Sequence, residues 1–126
     1  MKTFKIPLAV LIALVALALA NAAILTRQCR AWQQQTEKIT ELAAQEQWTQ
    51  AENALEALYA SWERWDGFLR MTTAHSEVEE VDTMIEECRV LLEQQNRDTL
   101  SLYAVQMNCQ FSRLSELQTF SLSNLL

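Results

Sequence analysis

His75, Glu79, Asp82 and Glu86 step by 4, 3 and 4 along the chain. On a helix that spacing sets all four on one face. An imidazole and carboxylates so placed could hold a divalent cation or pair a general acid with a base. As metal ligands they are weak candidates. A metal site needs more converging donors, no HExxH or calcium-loop spacing occurs, and a solvated acidic face accounts for the same residues. No catalytic residue, no cofactor and no cofactor-binding residue is assigned. The chain is expected not to be an enzyme.

A second group is aromatic: Trp48, Tyr59, Trp62, Trp65 and Phe68. Its spacing fits a helix core, and each indole N–H needs a partner when buried. A part-exposed tryptophan edge would make an interaction surface, for which Trp62, Trp65 and His75 are the candidates. The third group is Cys29, Cys88 and Cys109. No CxxC pair exists, so a thioredoxin-type motif or zinc knuckle is excluded. Cys88 reads as a buried small hydrophobe. Across a hairpin turning near residue 96 or 97, Cys88 would face about residue 105, with Cys109 one helical turn away. A Cys88–Cys109 disulfide is then an option outside the cytoplasm. Cys29 is the odd thiol and could join two chains. Ser112, Ser115, Ser121 and Ser123 crowd the C-terminus without a GxSxG elbow or a second histidine, so no hydrolase is read from them.

The elements that must position these residues are helices. Of the 126 residues, one is glycine and one is proline, which leaves little turn punctuation for an all-β fold or a phosphate loop. Trp48, Ala51, Leu55, Leu58, Trp62, Trp65 and Leu69 alternate steps of 3 and 4, the signature of an apolar helix stripe. Val78, Val81, Ile85, Cys88 and Leu92 form a second stripe, and Leu100, Tyr103, Met107, Phe111, Leu114 and Leu117 a third. Trp32, Ile39, Leu42 and Ala43 mark a shorter one. The predicted helices cover about 4–44, 47–70, 76–95 and 98–119. Asp66-Gly67 falls near the end of the second. Ser76 with Glu79 reads as a capping box, and Asn96 or Asp98 caps the last helix. Short connections force antiparallel neighbours. The fold class is all-α: an N-terminal transmembrane helix, then a small antiparallel bundle of three to four helices. Its first hairpin, Thr40–Leu58, is tetratricopeptide-like through Trp48, Ala51, Leu55 and Leu58. No second copy follows 34 residues on, so no repeat array is expected.

The N-terminus decides location. Ile6–Leu25 is a 20-residue apolar run with Asn21 its only strongly polar member, long enough to cross a hydrocarbon core. The division is a cytoplasmic stub at 1–5, a transmembrane anchor at 6–25 and an acidic helical bundle at 26–126. A cleavable signal peptide is the rival, since the small residues of Ala18-Leu19-Ala20 and Ala20-Asn21-Ala22 fit processing after Ala20 or Ala22. Lys2, Lys5 and the amino terminus face Arg27 and Arg30 across the run. The slight excess favours the N-terminus inside and the bundle extracytoplasmic. Cleavage would release the same bundle, secreted, on the same side.

Charge bounds the partners. Residues 1–30 carry four basic groups and no acid, whereas residues 31–126 carry six basic and sixteen acidic groups, a balance of −10 within the total of −6. Nucleic acid is excluded as a partner, because its binding needs clustered Lys and Arg. The expected partners are the lipid bilayer, through Ile6–Leu25, and either an unknown protein or a second copy of the chain. The functional expectation is a membrane-anchored interaction or scaffold module. The alternatives are a secreted helical domain and a weak metal- or small-ligand-binding module on the His75 face.

Three stretches carry a family resemblance: "QWTQAENALEALYASWERW", "AHSEVEEVDTMI" and the terminal "SLSNLL". With the N-terminal apolar run they resemble a small bacterial family catalogued as domain of unknown function 4363. The resemblance implies a short protein with a retained N-terminal membrane segment and a helical remainder. It supplies no catalytic residue.

Overall fold

The computed structural model describes residues 2–125, with side chains for residues 3–120. The side chains of the terminal "SLSNLL" motif, Ser121 and Ser123 included, lie outside the described residues. Four helices follow in chain order: α1 (Lys2–Ala44), α2 (Trp48–Thr72), α3 (His75–Glu93) and α4 (Arg97–Leu125). Each packs against its chain neighbour, and α4 closes against α1. The result is an up-down-up-down four-helix arrangement.

Heptad spacing builds the core. The buried residues of α1 are Leu25, Cys29, Trp32, Thr36, Ile39 and Ala43, with Leu42 beside them. Helix α2 contributes Ala51, Leu55, Leu58, Trp62 and Leu69, α3 Val78, Val81, Ile85, Cys88 and Leu92, and α4 Leu100, Met107, Phe111 and Leu114. Alternating steps of 3 and 4 keep one seam of each helix turned inward along the bundle, which in α1 begins at Leu25. The stripes read from the sequence are these seams. That of α1 is longer than expected, beginning at Leu25, the last residue of the apolar run. Trp48, at the first turn of α2, is only half-buried, because it sits at the end of the bundle where fewer side chains surround it.

Helix α1 is continuous across the expected boundary at residues 25 and 26. Its 43 residues extend about 64 Å at ~1.5 Å each. The apolar half stands largely exposed and the other half is a full bundle member. The helix starts at Lys2, so Pro7 lies in its second turn. Its missing N–H leaves the Thr3 carbonyl without its i→i−4 donor.

The turns solve the shortage of glycine differently from expectation. Glu46 and Gln95 adopt left-handed φ values of 61° and 55°. Gln47 N–H donates to the Leu42 carbonyl at 2.9 Å and Glu46 N–H to Ala43 at 3.0 Å, and Asn96 and Gln95 repeat the pattern on Leu91 and Leu92. Both are Schellman closures formed without glycine. The Asn96 side chain accepts from Thr99 N–H at 3.3 Å, the N-cap expected of it. The Ser76–Glu79 capping box does not form. Helix α3 begins one residue early, at His75, with Ala74 at the cap and no side-chain cap bond, so Ser76 is already inside the first turn.

Gly67 lies within α2, which continues to Thr72. A β-carbon built there meets nothing within 4 Å. Gly67→Ala is therefore expected to stabilise the bundle by about 0.5–1 kcal/mol through helix propensity. Urea unfolding followed by circular dichroism would show the raised midpoint, and a lowered one would mean that α2 is not helical there.

Candidate functional site

The aromatic residues converge on the centre of the bundle. Trp32 meets Trp62 edge-on at 5.1 Å between ring centroids, Trp65 at 6.4 Å and Phe111 at 5.4 Å. Trp32 Nε1 donates to Ser61 Oγ at 3.0 Å, and Trp62 Nε1 donates to Asp82 Oδ1 at 2.7 Å. Each buried indole thus has its partner. Trp62 is fully buried and cannot form the interaction surface expected of it. Trp65 and Phe68 are half-buried and pack on the core. Trp32 and Phe111 were not grouped with the aromatic set in the sequence, because each lies on a different helix.

The His75 face is held by arginines. Arg70 Nη2 donates to Asp82 Oδ2 at 3.1 Å, and Arg70 Nε donates to both Asp66 oxygens. Its Nη1 approaches His75 Nδ1 at 3.5 Å. Arg89 pairs with Glu86 on its own helix and with Glu56 across the α2–α3 contact. Asp82 therefore spends one oxygen on an indole and the other on a guanidinium. The weak metal candidates His75, Glu79, Asp82 and Glu86 do not close into a metal-holding group, and no such group occurs among the described residues. The helix spacing that aligns them turns His75, Glu79 and Glu86 outward and leaves Asp82 half-buried against Trp62, while Arg70 and Arg89 arrive from positions that spacing alone does not reveal.

The cysteines are all free. Cys29 is buried, not an exposed link between chains, because its place on α1 is a core position. Burial pushes its thiol up to about 12. Cys88 is buried as expected, and burial, with Glu87 adding to it, raises its thiol to about 11. Cys109 is exposed. The Cys88–Cys109 disulfide that the hairpin left as an option does not form. Glu77 takes hydrogen bonds from Gln110 Nε2 and Arg113 Nε on α4, a register that carries Cys88 opposite about residue 102, some two turns from Cys109.

Two grooves lie along α3 and α4, and smaller hollows lie between α2 and α3 and between α1 and α4. A groove of about 630 Å³ runs over Glu80, Met84, Val105, Cys109 and Arg113. A smaller, more apolar one of about 410 Å³ lies between Val90, Leu91, Thr99 and Tyr103. Val90, Leu102 and Val105 stand exposed around them. The Tyr103 hydroxyl is raised above its ordinary pKa chiefly by its hydrogen bond to Glu87, which keeps it neutral. Apolar side chains bordered by charges of both signs suit a helix or peptide contact rather than bond-making chemistry. Leu102 and Val105 lie off the apolar stripe of α4, so spacing alone shows them as isolated residues and not as a surface.

The profile of a family described as Domain of unknown function (DUF4363) matches residues 19–125. No curated protein and no solved structure matches the chain. Among the described residues one helix, near the N-terminus, is long and apolar enough to cross a membrane.

Proposed function

The chain belongs to the family described as Domain of unknown function (DUF4363), and on that premise we propose that it is a single-pass membrane protein with its N-terminus inside and its helical bundle outside the cytoplasm, working as a non-enzymatic interaction module. The observation that carries the reading is the unbroken passage of α1 from exposed apolar helix to bundle core. Phe4, Ile6, Leu8, Leu11, Ile12 and Leu14 are all more than half exposed. In water that apolar surface would be far larger than a soluble monomer tolerates, and a bilayer removes the cost. The excess of Lys2, Lys5 and the amino terminus over Arg27 and Arg30 supports the orientation. The α3–α4 grooves are the surface offered to a protein partner.

Release by cleavage after Ala20 or Ala22 would leave the core whole, because its first buried residue is Leu25. N-terminal sequencing of the mature protein separates the two readings, since a start at Met1 keeps the anchor.

Cys109 is a built-in reporter of sidedness. In cells stripped to the inner membrane, a membrane-impermeant maleimide is expected to label the protein, and Cys109→Ser to abolish the labelling. Cys29 and Cys88 should react only after denaturation, because burial hides them and holds them as thiols. Labelling of native protein only after lysis would place the bundle in the cytoplasm and end this proposal.

A further inference from the structure

Helices α2 and α4 descend alongside α1 into the stretch expected to lie in lipid. Gln28 Nε2 and Trp32 Nε1 both donate to Ser61 Oγ, which sets Ser61 level with about residue 30, so ten residues further down the antiparallel α2, Met71 stands level with about residue 20. Ser115 Oγ donates to Thr26 Oγ1, so Phe120 on α4 stands level with about residue 21. Gln118 Nε2 ties the two ends together through Thr72 Oγ1 and Thr73 Oγ1 at 2.9 and 3.0 Å. The burial of α1 agrees, because Ala18, Asn21 and Ala22 are half-covered.

This leaves too little free helix to cross a bilayer. From Ile6 to Leu19 there are about 14 apolar residues, or about 21 Å, against a hydrocarbon core of about 30 Å. Tilting the helix would only widen the shortfall. Lysines at the inner end can snorkel, but the outer end is fixed by the bundle. The difference of about 9 Å is the depth at which interfacial helices bury their apolar side chains.

The side chains at this end suit that depth. Met71 is 87% exposed and Phe120 63%, two large apolar groups left uncovered by the described residues at the level of the bilayer surface. Arg70 beside Met71 is paired with Asp66 and Asp82, and Glu77 with Arg113, so these charges are already compensated within the bundle. Glu77 and Glu79 on α3 and Glu116 on α4 also face this end, so its attraction to lipid is apolar and not electrostatic.

We infer that the base of the bundle, where the last turns of α2 and α4 present Met71 and Phe120, is a lipid-docking surface seated in the interfacial layer of the bilayer. It fixes the bundle upright against the membrane, so α1 is not a flexible tether. The inference rests on the anchored reading.

The test uses the full chain with Cys109→Ser, carrying Met71→Cys, Phe120→Cys or Leu102→Cys. Each introduced thiol is labelled with an environment-sensitive fluorophore, and the protein is reconstituted in phosphatidylcholine vesicles with a quencher borne on the lipid. Leu102 is the control, since it is 66% exposed and lies near the far end, where Arg97 reaches the Ala44 carbonyl. Labels at 71 and 120 are expected to blue-shift and lose emission to the quencher, and the label at 102 to do neither. Flotation of the same vesicles separates the two ways of failing. Protein that floats with all three labels alike overturns the docking surface and leaves the anchor standing, whereas protein that does not float overturns both. All three sites are exposed, and circular dichroism confirms that each labelled protein keeps its helices.

Discussion

Replacing Trp32 with alanine should cost the bundle about 3–5 kcal/mol, the range for deleting a buried aromatic side chain. Trp32 is fully buried and is the ring on which three others converge, from α2 and α4. Its removal opens a cavity among rings that cannot collapse into it without leaving their rotamers. It also takes away the indole donor to Ser61, although Gln28 still bonds that hydroxyl. A loss of this size is a large part of the roughly 5–15 kcal/mol that holds a domain together. Trp48→Ala, at the half-buried end of α2, should cost much less. Urea unfolding of both variants in detergent, followed by circular dichroism, measures the difference. Equal losses would place the core elsewhere than around Trp32.

Shortening the chain should separate the membrane segment from the fold at one particular place. A protein beginning at Ala23 keeps every buried core residue and is expected to be soluble and fully helical. A protein beginning at Ala31 loses Leu25 and Cys29, which are 0% and 2% exposed in the intact bundle. The deletion of a buried leucine alone costs about 2–5 kcal/mol, which for a bundle of about 100 residues corresponds to a melting point lower by roughly 10 °C or more. Thermal melts of the two proteins, side by side, decide it. If they melt together, the first turns of α1 after the apolar run contribute nothing to the core, and the continuity of anchor and bundle is lost as an argument.

The helices themselves were legible because heptad spacing survives in the sequence whatever packs against it. The stripes from Trp48 to Leu69 and from Val78 to Leu92 were read with the right faces inward, and the short polar gaps fell where the chain turns. Two turn details were not legible. Glu46 and Gln95 carry left-handed φ, and nothing in a glutamate or glutamine announces that conformation, since only the hydrogen bonds of the closed turn hold it. Ser76 and Glu79 had the spacing of a capping box, but α3 starts one residue earlier, so the hydroxyl is past the place where it could cap.

The candidate site divides in the same way. Composition and spacing sufficed to show a long apolar N-terminal helix and a helical remainder in which acidic residues outnumber basic ones. These are properties of single segments, and periodicity and net charge report them directly. The tertiary structure alone decided that Trp62 faces inward to Asp82, that Arg70 and Arg89 occupy the acidic face, that Cys109 and not Cys29 is the accessible thiol, and that the base of the bundle reaches down the apolar helix. Each of these depends on the axial register between helices far apart in the chain. A helix repeats its pattern every turn, so sliding it by one turn against its neighbour preserves the stripe and changes every specific contact. Only the packed side chains select which turn meets which.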